Sequence, residues 1–194
     1  MRGLRLAPLL LSLPLLAGCF SAVPDPQASA RDLEWMALVP KAEIHPHFAR
    51  YKMKDPTGEP PGTVVVDTKA RQLYFVLPNR EAIRYGVTVG DVAFGWTGTA
   101  RIARKAEWPD WSPPAEMKAR WPHVQFTRGG PNSPLGARAL YLHDGAKDTL
   151  YRIHGTNEPE KIGLAASSGC IRMTNMDAVD LYQRVPVGTR VVVK

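Results

Sequence analysis

The sequence predicts a mostly-β domain over residues 63–194, with one or two short helices. Three observations predict it. Short β-branched or aromatic runs alternate with turn residues from residue 63 onward. Proline and glycine are frequent, 18 and 16 in 194 residues, which favours strands and loops over long helices. Only one segment near the C-terminus carries a sustained helical period. At 44% hydrophobic residues the chain can fill a core, and its length allows one domain or at most two.

The N-terminus is read first as an address. Arg2 and Arg5 precede an apolar run over 6–16, broken by Pro8, Ser12 and Pro14. That run is shorter than the roughly 20 apolar residues a bilayer span needs. A basic start, a short apolar stretch and a small-residue end are the layout of a secretory signal. Its end, Leu16-Ala17-Gly18-Cys19, resembles the bacterial lipobox, in which the cysteine is lipidated and becomes the first mature residue. Residues 1–18 are therefore expected to be a lipoprotein signal peptide and Cys19 a lipid anchor. Phe20 and Ser21 place no aspartate after Cys19, which resembles an outer-membrane destination facing the periplasm. Each buried acyl CH₂ contributes about 0.8 kcal/mol, so several chains on one cysteine hold a domain firmly.

Removing 1–18 takes away two arginines and no acid, which lowers the net charge from +7 to +5. A basic chain seeks anionic partners. An exported protein does not meet the genome, so nucleic acid is excluded and cell-wall polymer and phospholipid remain.

Residues 19–62 read as a lipidated N-terminus and tether with some local structure, including a short helix over 32–39. The run 55–62 is a turn-rich boundary. His45 and His47 without a cluster do not make a metal site. Within the domain, 63–66, 72–77 and 83–89 read as an antiparallel meander, continued by 99–105. A stretch rich in proline and tryptophan follows, with one or two helical turns over 114–120. The loop 129–136 precedes strands over 139–142 and 150–154, joined by a turn at Asp144 and Gly145. Thr174 and Asp177 resemble a capping box opening a helix over 174–185, with Met176, Val179, Tyr182 and Val185 as its apolar stripe. Pro186 ends it, and 189–193 reads as a closing strand.

Two positions could carry chemistry. Cys170 follows Ser167, Ser168 and Gly169, with Arg172 two residues on and a helix opening near Asn175. A small-residue loop, a thiol, a cation and a helix start describe an electropositive pocket for a nucleophile. The other reading is a buried structural cysteine. His154 ends a predicted strand and is followed by Gly155, where an imidazole can face a cleft.

His154-Gly-Thr-Asn157 followed by Ser167-Ser-Gly-Cys170-Ile-Arg172-Met-Thr-Asn175 is similar to the signature of the L,D-transpeptidase (YkuD-like) catalytic domain. The likeness extends over 63–194 and includes the Pro-Leu-Gly-Ala loop at 134–137. One residue departs from it, because Ser168 stands where many members have a second histidine. The resemblance implies a β-sandwich with the cysteine at a cleft, and peptidoglycan crosslinking without a penicillin-type serine. Cys170, as a thiolate, would be the nucleophile and His154 the base and acid. Gly155 would orient the imidazole through its carbonyl, and Gly169 with Cys170 would supply oxyanion amides.

Arg172, Ser167, Ser168 and Asn157 are candidates for substrate contact, Arg172 equally for bracing the loop, and Asn175 for structural support. No cofactor or metal is implied. The implied partners are peptidoglycan stem peptides, the membrane through Cys19, and carbapenem-type acylating inhibitors. Hydrolysis by the same Cys-His site is the enzymatic alternative, and a wall-binding scaffold the non-enzymatic one. Trp96, Trp108, Trp111 and Trp121 could line a groove or pack the core. His123 and His143 lack a partner pattern, and Asp110 and Glu116 lack the paired-carboxylate context of a glycosidase.

Overall fold

A computed structural model describes residues 20–90 and 96–194. Cys19 and the signal segment lie outside the described residues. Twelve strands and three α-helices are formed among those described. The meander consists of β3 (Val64–Asp67), β4 (Gln72–Leu77) and β5 (Glu81–Gly86), antiparallel throughout. β6 (Val89–Gly90) follows, then β7 (Gly98–Glu107), the helix α2 (Ala115–Arg120), β8 (Arg138–Asp144) and β9 (Lys147–His154). β10 (Ala165–Ser167), β11 (Ile171–Arg172), α3 (Asn175–Arg184) and β12 (Arg190–Val193) complete the chain.

The N-terminal segment is more ordered than the expected tether. It supplies β1 (Ser21–Ala22), α1 (Ala30–Ala37) and β2 (Tyr51–Lys54). Ten strands join in one sheet in the order β1-β2-β5-β4-β3-β12-β7-β8-β9-β11, while β10 and β6 form a separate parallel pair. β1 and β2 therefore extend the meander at its outer edge, and Met53 on β2 packs against Val65, Tyr74, Val76 and Ala82.

The closing strand does not lie at an edge. β12 sits between β3, which it meets in parallel, and β7, which it meets antiparallel. The runs Val64–Val65–Val66 and Val191–Val192–Val193 pair residue for residue. A strand covered on both faces needs apolar residues at every position, and all three valines of β3 are fully buried. Both halves of the sheet meet α3 in one core, where Val64, Tyr85, Ile102, Leu140 and Ile153 join Ala178, Leu181 and Val185. The mostly-β architecture with few helices stands.

α3 opens with half of the expected capping box, the Thr174 hydroxyl accepting from the Asp177 amide at 3.1 Å. The Asp177 carboxylate pairs with Arg50. The buried face contains Val179 and Val185 of the predicted stripe and extends beyond it to Ala178, Leu181, Asp177 and Asp180. Those acids are accommodated because each has a partner. Tyr85 donates to Asp180 at 2.6 Å, and Arg184 binds the same carboxylate with two nitrogens at 2.8 Å.

Candidate active site

β9 ends at His154, and β11 runs parallel beside it, with Ile171 opposite Ile153 and Arg172 opposite His154. Strand side chains alternate between faces. Ile153 and Ile171 enter the core, so Arg152, His154 and Arg172 share the other face. Cys170, one residue before β11 and two before Arg172, falls on that face across from Arg152. The pairing thus sets the segment that carries Cys170 alongside the strand that ends at His154, 16 residues apart in sequence.

The imidazole is buried and fixed. Its Nδ1 lies 2.6 Å from the carbonyl oxygen of Gly155, which can only accept, so Nδ1 carries the proton and Nε2 the lone pair. The carbonyl of His154 accepts from Met173 at 2.8 Å, and the amide of Gly155 donates to Arg138 at 2.9 Å. Burial, with Arg172 beside it, pushes the imidazole pKa down to about 3. Cys170 is half-buried and its Sγ lies 3.9 Å from the carbonyl oxygen of Leu150. Burial pushes the thiol up, against an opposing pull from the Arg152 amide and the charges of Arg152 and Arg172. The pair therefore rests as thiol and neutral imidazole, whereas the sequence led us to expect a stabilised thiolate.

The turn before the nucleophile is tied by Ser167. Its hydroxyl donates to the carbonyl of Cys170 at 2.6 Å and accepts from the amide of Gly169 at 3.2 Å. Gly169 has φ of 124°, a backbone that side-chain-bearing residues rarely adopt. Two expectations change here. Ser167 is buried within the loop and braces it, so it does not face a substrate. The Gly169 amide is already engaged, so it is not a free oxyanion donor in this state.

Arg172 meets Glu158 at 2.7 Å, and Lys161 pairs with the same carboxylate, which ties Arg172 to the segment after the histidine. Asn157 donates to the Asn132 carbonyl at 3.2 Å, joining the histidine loop to the 129–136 loop. Ser168 is exposed.

Asn175 is the hub of this region. Its buried Oδ1 accepts from Ala137 at 2.9 Å and Thr156 at 3.0 Å, and its Nδ2 donates to Thr156 at 2.9 Å. A Cβ at Gly136 or Gly155 would come within 2.1 or 2.2 Å of that oxygen, so both positions need glycine. Asn175→Ala would leave two buried amides and a carbonyl unpaired, each costing about 1–3 kcal/mol. We expect a loss of about 3 kcal/mol in urea unfolding, and a smaller one for Asn175→Asp, which keeps the acceptor.

Sequence reasoning missed Arg152 and Glu158. Arg152 was legible from the period of two that places it on the same face as His154. Glu158 carried no signal, because its partners come from two separate segments. Of the tryptophans, Trp108 is buried in the core, Trp96 stacks on Tyr151 at 5.5 Å, and Trp121 is exposed. Among the described residues no cluster of three or more His, Cys, Asp or Glu could hold a metal.

A sequence model of the L,D-transpeptidase catalytic domain, YkuD, matches residues 61–193. A relative described as the probable L,D-transpeptidase YbiS of Escherichia coli K12 is 35% identical over 139 residues, covering 67% of this chain and 43% of that protein. This chain thus spans less than half the length of that relative. A solved Brucella melitensis structure, described as a probable carnitine operon oxidoreductase, is 47% identical at a TM-score of 0.54, covering 78% of this chain and 96% of that one. L,D-transpeptidase 3 of Mycobacterium tuberculosis shares the fold at a TM-score of 0.53 and 13% identity, covering 68% of this chain and 60% of that one. Fold and signature together define a domain with a histidine at the end of one strand and a cysteine just before the strand that pairs with it. The chain belongs to the L,D-transpeptidase catalytic domain family.

Proposed function

We propose that this chain is a peptidoglycan L,D-transpeptidase. The Cys170 sulfur attacks the carbonyl of the L-centre of diaminopimelate in a tetrapeptide stem. As the S–C bond forms, Nε2 of His154 takes the thiol proton, and the amide of Cys170 itself faces the developing oxyanion. The C–N bond to D-Ala then breaks and the imidazolium returns the proton to the leaving amine. An acceptor amine attacks the thioester, the S–C bond breaks, and the thiol is restored. The acceptor is a second diaminopimelate side chain, a D-amino acid or a protein lysine.

One observation supports this reading above the others. The Gly155 carbonyl fixes the proton on Nδ1 of His154, so the free lone pair belongs to a neutral base on the strand that pairs with the one opening just after Cys170. The Brucella description names a different chemistry and contributes only a likeness in sequence and fold. We place the enzyme outside the cytoplasm, lipid-anchored through Cys19, with its site toward the wall. The M. tuberculosis enzyme has been solved with a faropenem-derived adduct. We extend carbapenem-type acylation to Cys170.

Incubating the protein with disaccharide-tetrapeptide and weighing the products tests the assignment. Crosslinked dimers with released D-Ala are expected. Tripeptide alone would replace transfer with hydrolysis, and unchanged substrate together with no carbapenem adduct on Cys170 would overturn the enzyme.

A further inference from the structure

We propose that Arg104, Tyr141 and Arg152 form a carboxylate-binding subsite beside Cys170, holding an anionic group of an extended substrate during acylation. The inference rests on the transpeptidase reading for its substrate class. In register, Arg104 of β7 stands opposite Tyr141 of β8, and Tyr141 opposite Arg152 of β9. Cys170 falls across from Arg152, one step before the Ile171 and Ile153 pair. The four residues make a single row across four strands, ending at the nucleophile.

Arg104 is on this face because of a local irregularity. Ile102 is buried in the core, and an ordinary strand would send residue 104 to the same side. The register shifts between Ile102 and Arg104, and such a bulge re-aims the side chain that follows it. Lys105 consequently turns toward α3, where its Nζ donates to the carbonyls of Tyr182 and Val185 at 2.6 and 2.8 Å. The Arg104 guanidinium lies 3.5 Å from the centroid of the Tyr141 ring, and that of Arg152 lies 4.5 Å from it.

Two cations on one ring repel unless each has a counter-charge. Arg152 has one, because Asp148 holds it through two bonds of 2.7 Å. Arg104 is exposed and pairs with no carboxylate among the described residues. The row therefore presents one uncompensated, ring-oriented guanidinium, a geometry suited to a carboxylate. Strands are about 4.8 Å apart, so a guanidinium over Tyr141 stands roughly 10 Å from the Cys170 backbone. At about 3.4 Å per residue, that places the bound anion roughly three residues of extended chain from the attacked carbonyl. Stem peptides carry free carboxylates on that scale.

The test measures binding of disaccharide-tetrapeptide, with its carboxyl groups either free or amidated, to the Cys170→Ala protein with and without Arg104→Gln. The free acid is expected to bind about tenfold more tightly than the amide when Arg104 is present. Arg104→Gln should erase that difference. Equal affinity for acid and amide with Arg104 present, or a preference that survives Arg104→Gln, would overturn the subsite. D-Ala release by the protein with Cys170 intact is followed in parallel. Its absence would defeat the transpeptidase reading, while the acid–amide comparison would still decide the subsite.

Discussion

His154→Ala is expected to slow acylation of Cys170 by about 10²- to 10⁴-fold, the contribution of a positioned general base. The effect is large because the thiol cannot ionise unaided. Burial holds its pKa above the ordinary thiol value, and the two neighbouring arginines only partly offset this. The imidazole, pushed down to about 3, stays neutral and keeps Nε2 available at any pH where the protein works. The pH profile of kcat/KM follows. No acid limb should appear near the ordinary histidine value of about 6.5, and the rate should stay level below the thiol's pKa, because thiol with neutral imidazole is the reactive pair throughout that range. Measuring D-Ala release from pH 5 to 9 checks both points; a limb centred near 6.5, or full activity in His154→Ala, would refute the assignment.

The same depressed pKa enters stability. In the unfolded chain the histidine takes up a proton near 6.5, whereas the folded one resists until about 3. Its contribution is complete above 6.5 and is lost as pH falls toward 3. Asp177 acts in the opposite sense, because burial pushes it up to about 6 from its ordinary 3.8. Its contribution is present below 3.8 and is lost as pH rises through 6. The stability gap between the wild type and His154→Ala should therefore narrow on acidification from 6.5, read by urea unfolding at a series of pH values.

Local pattern made the strands of the meander, β8, β9, α2 and the start of α3 legible, because turn residues and alternation act over a few positions. Cys170 and His154 were legible as candidates because the signature that carries them is local, two short runs of fixed residue types at a fixed spacing. What sequence did not disclose is partner choice. Nothing local says that 191–193 inserts beside 64–66, since apolar strands are compatible with several neighbours. The buried face of α3 is broader than the predicted stripe because Asp177 and Asp180 look like surface residues until Arg50, Tyr85 and Arg184 are brought to them. The engagement of the Gly169 amide by Ser167 depends on a turn geometry that residue types alone leave open.

The largest loss of stability is expected from Asp32→Ala, on the order of 3–5 kcal/mol. Asp32 lies in the first turn of α1, capped by Ser29 in a reciprocal capping box, and is fully buried. Both its oxygens meet Arg138 at 2.8 Å, and the indole nitrogen of Trp108 donates to it at 2.7 Å. These bonds hold its carboxyl far below the usual carboxylate range, so the pair survives until strongly acid pH. Removing the carboxylate leaves a guanidinium that is 4% exposed with only Glu107, a more exposed carboxylate 4.0 Å away, as its counter-charge. The damage should reach the active site, because the Arg138 carbonyl receives the Gly155 amide and Ala139 stands opposite His154. The segment carrying Asp32 precedes the family-matched region, so a truncation that begins at residue 61 strands the same charge. A double variant, Asp32→Ala with Arg138→Met, separates charge from packing. If the cost is the orphaned charge, urea midpoints for the double variant should recover well above those of Asp32→Ala. A double variant as unstable as the single one would assign the loss to the packing of α1 instead.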